Sequence, residues 1–290
     1  MNCDKPFKPL FNVSIFDEPK IDAHCHLLAP LQFPYSADAL YKPQGQEIGD
    51  QSYFSHVMNS YGVQHALLVG PNSGYNLDNT CMCHALTTDP QRFKGIAVVP
   101  NDASSEQLCA LQKQGVVGVP FNSSLCGTSF YKDIEPLLHR LKELNMYAQF
   151  QVEADQLLDF SAMIERSQVR VLIDHCGRPV PAKGVNQAGF AALLKLGKKG
   201  QAVVKISGYA KFSALAYPFD DTTIFVEKLV DVFGLSNCMW ASDWPYLRAS
   251  PRLDYGCILQ LVAKQFSVTE RHKLMWSTAD DLFGFSYAGK

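Results

Sequence analysis

Val116-Val117-Gly118-Val119-Pro120-Phe121-Asn122, then Tyr131–Asn145, then Met146-Tyr147-Ala148-Gln149-Phe150-Gln151-Val152 hold the repeating unit of the chain. The two ends are apolar and short, the length of buried strands. Between them Ile134, Leu137, Leu138 and Leu141 share one helical face, with Lys142 and Glu143 outside it. Strand, helix and strand in that order predict a right-handed unit with parallel strands.

The same alternation extends in both directions. Strand-like runs occur at Lys20–His26, Gln64–Gly70, Phe93–Pro100, Val116–Asn122, Met146–Val152, Val169–Cys176, Ala202–Gly208 and Cys238–Trp244. Asp221–Gly234 repeats the helical pattern with Ile224, Val226, Leu229, Val230 and Phe233, and Gly234 supplies the stop. Near-continuous apolar strands suit a sheet covered on both faces. Eight units in 290 residues predict an α/β protein, a single-domain (β/α)8 barrel, over an open sheet. Neither GxGxxG nor GxxxxGK[ST], the nucleotide fingerprints of open sheets, is present. Residues 1–19 read as an N-terminal arm and 20–290 as the catalytic barrel, with Pro30–Gly49 a long first loop.

Composition narrows the function. Lys and Arg number 26 against 28 Asp and Glu, so no basic footprint for nucleic acid or anionic membrane exists. The apolar runs are far shorter than the ~18–20 residues of a membrane span. Nine cysteines, an odd and scattered count, suit reduced thiols, and the expected location is the cytoplasm. The expected partner is a small-molecule substrate, with no nucleic acid and no membrane.

Barrel enzymes carry their chemistry at the C-terminal strand ends. The first run, Ile21-Asp22-Ala23-His24-Cys25-His26, ends in His-x-His, and alternation turns both imidazoles to one side. The sixth, Val171-Leu172-Ile173-Asp174-His175, ends in a third histidine, and the eighth, Met239-Trp240-Ala241-Ser242-Asp243, in a carboxylate. One such residue alone is more often a hydrogen-bonded core group. Four at strand ends of one barrel form a set able to hold zinc or activate water. Arg178, Lys211, Asn122, Gln151 and Tyr246 are candidate substrate-binding residues, and Trp244 a candidate pocket wall. Tyr35 and Tyr41 lie in the long first loop, a candidate lid.

Other motifs carry less. Cys81-Met82-Cys83-His84 lies in a predicted helix without a second ligand pair, so buried thiols explain it better than zinc. His56, His65, His84, His139 and His272 fall on helices or strand starts and read as structural or surface groups. Cys25 alternates away from its flanking histidines, which makes it a poor nucleophile. No Gly-x-Ser-x-Gly elbow is present.

Asp22-Ala23-His24-Cys25-His26, Ile173-Asp174-His175-Cys176-Gly177-Arg178-Pro179 and Ser242-Asp243-Trp244-Pro245 resemble the amidohydrolase superfamily. More narrowly they are similar to its metal-independent or weakly metal-dependent lactonases of the 2-pyrone-4,6-dicarboxylate type. The resemblance continues through Phe33-Pro34-Tyr35-Ser36, Gly95-Ile96-Ala97-Val98-Val99 and Glu153-Ala154-Asp155. It implies a (β/α)8 barrel that hydrolyses a cyclic ester. Asp243 would then be the general acid–base group, with His24, His26 and His175 polarising the carbonyl as hydrogen-bond donors or through one metal ion.

Two departures qualify the resemblance. Strand five ends in Gln149-Phe150-Gln151, where metal-binding relatives carry His, and strand four in Phe121-Asn122, without a bridging Lys or Glu. The expectation is no cofactor, or one divalent ion such as Zn²⁺ on His24, His26, His175 and Asp243, with activity surviving chelation in part or whole. Gly118-Val119-Pro120-Phe121-Asn122 stands where the pyrone-dicarboxylate enzymes have Gly-x-Arg-Phe-Asn. Loss of that guanidinium fork argues against the same dicarboxylate. The expected substrate is a small lactone, carboxylated or sugar-derived. The alternative is a metal-dependent decarboxylase of the same superfamily, and the third reading a barrel that binds a metabolite without turnover.

Overall fold

The computed structural model describes residues 14–285. Eight strands form one parallel sheet in chain order: β1 (Lys20–Cys25), β2 (Val63–Val69), β3 (Phe93–Ile96), β4 (Val116–Asn122), β5 (Tyr147–Gln151), β6 (Arg170–Ile173), β7 (Ala202–Ile206) and β8 (Cys238–Trp240). A parallel bridge between Cys25 and Trp244 closes the ring. Helices follow the strands on the outside, and the expected (β/α)8 barrel is what forms. Among the described residues no helix is long and apolar enough to cross a membrane.

The unit around β4 and β5 shows why local sequence sets the boundaries. Its helix spans Glu135–Glu143, shorter than the expected Tyr131–Asn145, because Pro136 suits the first turn and Asn145 turns left-handed at φ +57°. Asp221–Gly234 yields the helix Thr223–Phe233, ended by Gly234 at φ +69°. Of the expected arm, residues 1–13 lie outside the described residues. Its remainder is pinned, since Glu18 takes a forked ion pair from buried Arg271.

Side chains alternate between two apolar layers. Leu67, Val69, Ile96, Leu172, Val203 and Met239 fill the barrel interior, and Phe283 and Phe285 pack against this layer. Ala66, Leu68, Phe150, Ile173, Val204, Ile206 and Trp240 belong to the layer under the helices. β1 breaks the rule. Asp22 pairs with Ala66 and Cys25 with Leu68, so two residues, Ala23 and His24, stand against one, Leu67. Such a bulge re-aims the following side chains. Ile21 and Ala23 join the interior layer, yet His24 also faces in, one residue out of step.

Asp22 fixes the seam. It accepts from Ser242 N–H (2.9 Å), Ser242 Oγ (2.5 Å) and the Tyr255 hydroxyl (2.8 Å), tying β1 to the end of β8. Burial pushes its carboxyl above the ordinary range, against the lowering effect of these donors. The seam residues Asp22 and Ser242 therefore sit on the same two stretches of chain as His24 and Asp243.

Candidate active site

Among the described residues eleven non-glycines have positive φ, and six of them (His175, Cys176, Arg178, Asp243, Tyr246 and Arg248) follow β6 and β8. Left-handed backbone at non-glycine residues costs energy and gathers where geometry is functional. At β6, Gly208 receives His175: a Cβ on Gly208 would lie 2.5 Å from His175 Cβ and Cγ. At β8, Asp243 donates its N–H to the His24 carbonyl (2.9 Å), which fixes the carboxylate over β1.

His24, His26, His175 and Asp243 come together at the C-terminal mouth. Asp243 Oδ1 lies 3.9 Å from His24 Nε2, 3.8 Å from His26 Nε2 and 3.5 Å from His175 Nε2. The Nε2 atoms of His24 and His26 are 3.3 Å apart. The far side of each ring is held. His26 Nδ1 donates to the Val69 carbonyl (2.8 Å), His175 Nδ1 meets Ser207 Oγ (3.0 Å), and His24 Nδ1 lies 3.1 Å from both Asp174 Oδ1 and Lys205 Nζ.

Beneath them sits a polar network that sequence reading missed. Lys205 is fully buried and donates to Gln149 Oε1 (2.6 Å) while lying 3.0 Å from Asp174 Oδ1. Gln149 Nε2 donates to Asp174 Oδ2 (2.9 Å). The available signal was Lys205 itself: in Ala202-Val203-Val204-Lys205-Ile206 it faces inward with Val203, and a buried lysine needs partners. Burial lowers its pKa, opposed by Asp174.

Electrostatics keep the histidines neutral and Asp243 ionised. Burial holds His24 well below its ordinary pKa, helped by the Lys205 charge, and lowers His26 against the pull of Asp243. For His175 burial brings the value down to about 3. Burial would raise Asp243, but the Lys211 charge and its hydrogen bond oppose it and the net shift is downward. Lys211 Nζ holds Asp243 Oδ2 at 3.0 Å and donates to the Leu247 carbonyl (2.9 Å).

One expectation changes here. A neutral His26 spends its single ring proton on Val69, so its Nε2 presents a lone pair and cannot donate to a developing oxyanion. In that tautomer His26 Nε2 is an acceptor, which differs from the expected role of hydrogen-bond donor to the carbonyl.

The cluster opens into a cavity of about 410 Å³. His26, His175, Asp243, Lys211, Arg178, Asn122 and Gln151 line it, with Pro120 on the β4 side. Arg178 bonds Glu153 (2.9 Å) and leaves its buried Nε unpartnered. Asn122 caps the turn after β4 by accepting from Leu125 N–H, and Gln151 donates to Ser124 Oγ (3.1 Å). Tyr246 is the exception. Expected from sequence as a substrate-binding candidate, at φ +68° it lies with Trp244 on a neighbouring cavity lined also by Tyr53, His56 and Tyr61. Tyr35 and Tyr41 stay in the first loop, bonded to Pro43 and Glu47. Cys25 points away, toward the Leu67 carbonyl. Cys81 is buried against the Leu27 carbonyl, and the metal-ligand grouping found among the described residues is His24, His175 and Asp243, not the cysteine motif.

A closed (β/α)8 barrel with strand-end histidines and a last-strand aspartate defines a class of barrel enzymes built to act on carbonyl-type substrates. The chain belongs to the amidohydrolase family, whose profile matches residues 21–285. It is 29% identical to the 4-sulfomuconolactone hydrolase of Rhizobium radiobacter, over 91% of this chain and 89% of that protein. It is 24% identical to the 2-pyrone-4,6-dicarboxylate hydrolase of Comamonas testosteroni, over 83% of this chain and 80% of that one. Among solved structures, it matches a probable 2-pyrone-4,6-dicarboxylic acid hydrolase from Acinetobacter baumannii with citric acid bound. That match has a TM-score of 0.80 and 26% identity, and covers 92% of this chain and all of the other.

Proposed function

We propose that this protein is a hydrolase that opens a small lactone bearing an acidic group. The observation that carries the reading is the convergence of three imidazole Nε2 atoms on one ionised carboxylate, 3.5–3.9 Å from Asp243 Oδ1. Relatives named as hydrolases of a sulfonated muconolactone and of a pyrone dicarboxylate support it.

Asp243 is the general base. It takes a proton from water as the water oxygen bonds to the lactone carbonyl carbon, and returns that proton to the ring oxygen as the acyl C–O bond breaks. Water is consumed and one hydroxy acid forms. Lys211 keeps Asp243 ionised and aims Oδ1 inward by holding Oδ2. Arg178, Asn122 and Gln151 orient the ring, while Lys205 and Asp174 hold His24 from behind.

The donor set fits one divalent cation. His26 offers a bare Nε2, and the Nδ1 atoms of His24 and His26 meet a carboxylate and a carbonyl, the outer contacts typical of ligating histidines. Nitrogen and carboxylate donors of this kind suit zinc, held by His24, His26, His175 and Asp243. Such an ion, when bound, supplies Lewis-acid polarisation of the carbonyl. Gln149 is engaged with Asp174 and Lys205, so no strand-five ligand serves a second ion.

A panel of sugar lactones, muconolactones and pyrone carboxylates, followed by acid release, tests the reading. Acid release without CO₂ supports the hydrolase. CO₂ release favours the decarboxylase of the same superfamily, and binding without turnover the non-catalytic barrel.

A further inference from the structure

Three cationic side chains line the cavity outside the buried network, and they are not equivalent. Arg178 is neutralised by Glu153 at 2.9 Å and Lys211 by Asp243 at 3.0 Å. Arg248, on the loop after β8, has no ion pair among the described residues and is exposed at the mouth. Its backbone, at φ +58°, is clamped by Glu47 Oε1, which accepts its N–H at 2.6 Å. Glu47 Oε2 accepts from the Tyr41 hydroxyl at 2.5 Å, and the Arg248 guanidinium lies 5.6 Å from the centre of the Tyr41 ring. Glu47 thereby joins the first loop to the last, accepting from the Arg248 and Gln44 backbone N–H groups and from a phenol, and no described carboxylate lies within ion-pair distance of the Arg248 guanidinium.

The neighbouring residue carries the connection inward. The Leu247 carbonyl accepts from Lys211, whose other contact is Asp243. An anion on Arg248 therefore sits on a loop tied through two hydrogen bonds to the proposed base. Across the cavity, β4 presents Pro120, which has neither charge nor donor.

Resting on the lactonase reading, we infer that Arg248 is the specificity residue that receives the substrate's acidic group, which therefore lies on the β8-loop side of the cavity and away from β4. Arg178 and Lys211 have carboxylate partners already, so a single exocyclic anion is what the charge balance accommodates. A guanidinium forks onto carboxylate and sulfonate alike.

The test compares wild type with Arg248→Ala, Arg248→Lys and Arg248→Glu. The substrates are muconolactone, whose side chain ends in a carboxylate, and its neutral carboxamide; citrate binding by calorimetry is read separately. Arg248→Ala should raise KM for the carboxylate roughly tenfold, the low end for a charged hydrogen bond, with kcat within about twofold. The carboxamide should be unaffected, citrate should weaken in step with the carboxylate, Arg248→Lys should recover part of the loss, and Arg248→Glu should deepen it. Equal effects on carboxylate and carboxamide, or none on the carboxylate and citrate, overturn the inference. Wild-type protein that binds citrate through Arg248 but opens no lactone overturns the lactonase reading alone. Failure to bind citrate and to open any lactone overturns both.

Discussion

The Nε2 atoms of His24 and His26 face each other at 3.3 Å, and the His26 atom carries a lone pair because its other nitrogen donates to Val69. Two arrangements satisfy that distance. A cation accepts both lone pairs, or Lys205 donates to His24 Nδ1 and shifts the His24 proton onto Nε2, facing His26. The two differ in whether a cation is bound and in which side of His24 holds the proton.

Metal analysis separates them. We expect one equivalent of divalent ion per chain and no second, with zinc restoring chelated protein. Removal should cost on the order of 10² or more in kcat/KM, since the ion contributes several kcal/mol of charge stabilisation in such sites. This departs from the expectation drawn from sequence, in which activity survives chelation, and His26 is the reason. Two tightly bound equivalents, or full activity after chelation, would contradict it.

Asp243→Asn should lower kcat by on the order of 10²–10⁴ while KM changes far less. The amide keeps the shape but takes no proton. Thermal unfolding run alongside should show a folded protein; retained turnover removes Asp243 from the chemistry.

Much of this site is legible in the strand-end residues. His24, His26, His175 and Asp243 stand out because the barrel rule assigns meaning to polar residues that end apolar runs. The bulge in β1 is not legible, since nothing in Asp22-Ala23-His24-Cys25 marks which residue is extra. Tyr246 is misplaced from sequence because two left-handed residues, Asp243 and Tyr246, turn the chain after β8 out of strand alternation. Lys205 is legible in part: its position inside an apolar strand implies buried polar partners, which the fold supplies as Gln149 and Asp174. Strand ends are similar. The Phe93–Pro100 and Cys238–Trp244 runs yield only Phe93–Ile96 and Cys238–Trp240 as strand, because their last residues serve loops of the mouth.

Lys205→Met should destabilise the fold by about 3–5 kcal/mol, the usual cost of leaving one member of a buried ion pair alone. Asp174 and Gln149 lose their shared donor, and His24 loses the contact behind its ring. Denaturant midpoints measure the first effect. A kcat loss exceeding any change in KM, in protein that remains folded, measures the second.

Acid should destabilise metal-free protein through the buried histidines. The His175 pKa is about 3 in the folded chain, below its ordinary 6.5, so between these values the unfolded chain binds more protons. Stability is therefore full above pH 6.5 and falls as pH drops toward 3. From pH 6.5 to 5 the loss from His175 alone is about 2 kcal/mol. Asp243, with a lowered pKa, adds loss only at still lower pH. Urea unfolding at pH 7 and pH 5 checks the sign; equal stability would mean the imidazoles are not buried as neutral groups.

Gly208→Ala should impair the site with little change elsewhere. A methyl group there meets the His175 ring at 2.5 Å on backbone at φ +66°. Displacement of His175 should lower kcat at least tenfold, given how steeply catalysis depends on ångström-scale placement. Unchanged kinetics would show that His175 is dispensable.

Lactone hydrolysis at this site requires that water, activated by Asp243, add to the ring-ester carbonyl. Turnover of an acidic lactone in H₂¹⁸O, with products read by mass spectrometry, tests it most directly. One ¹⁸O is expected in the new carboxylate, with an unlabelled hydroxyl, no CO₂, and loss of labelling with Asp243→Asn. Release of CO₂, or label appearing in the hydroxyl instead of the carboxylate, would contradict it.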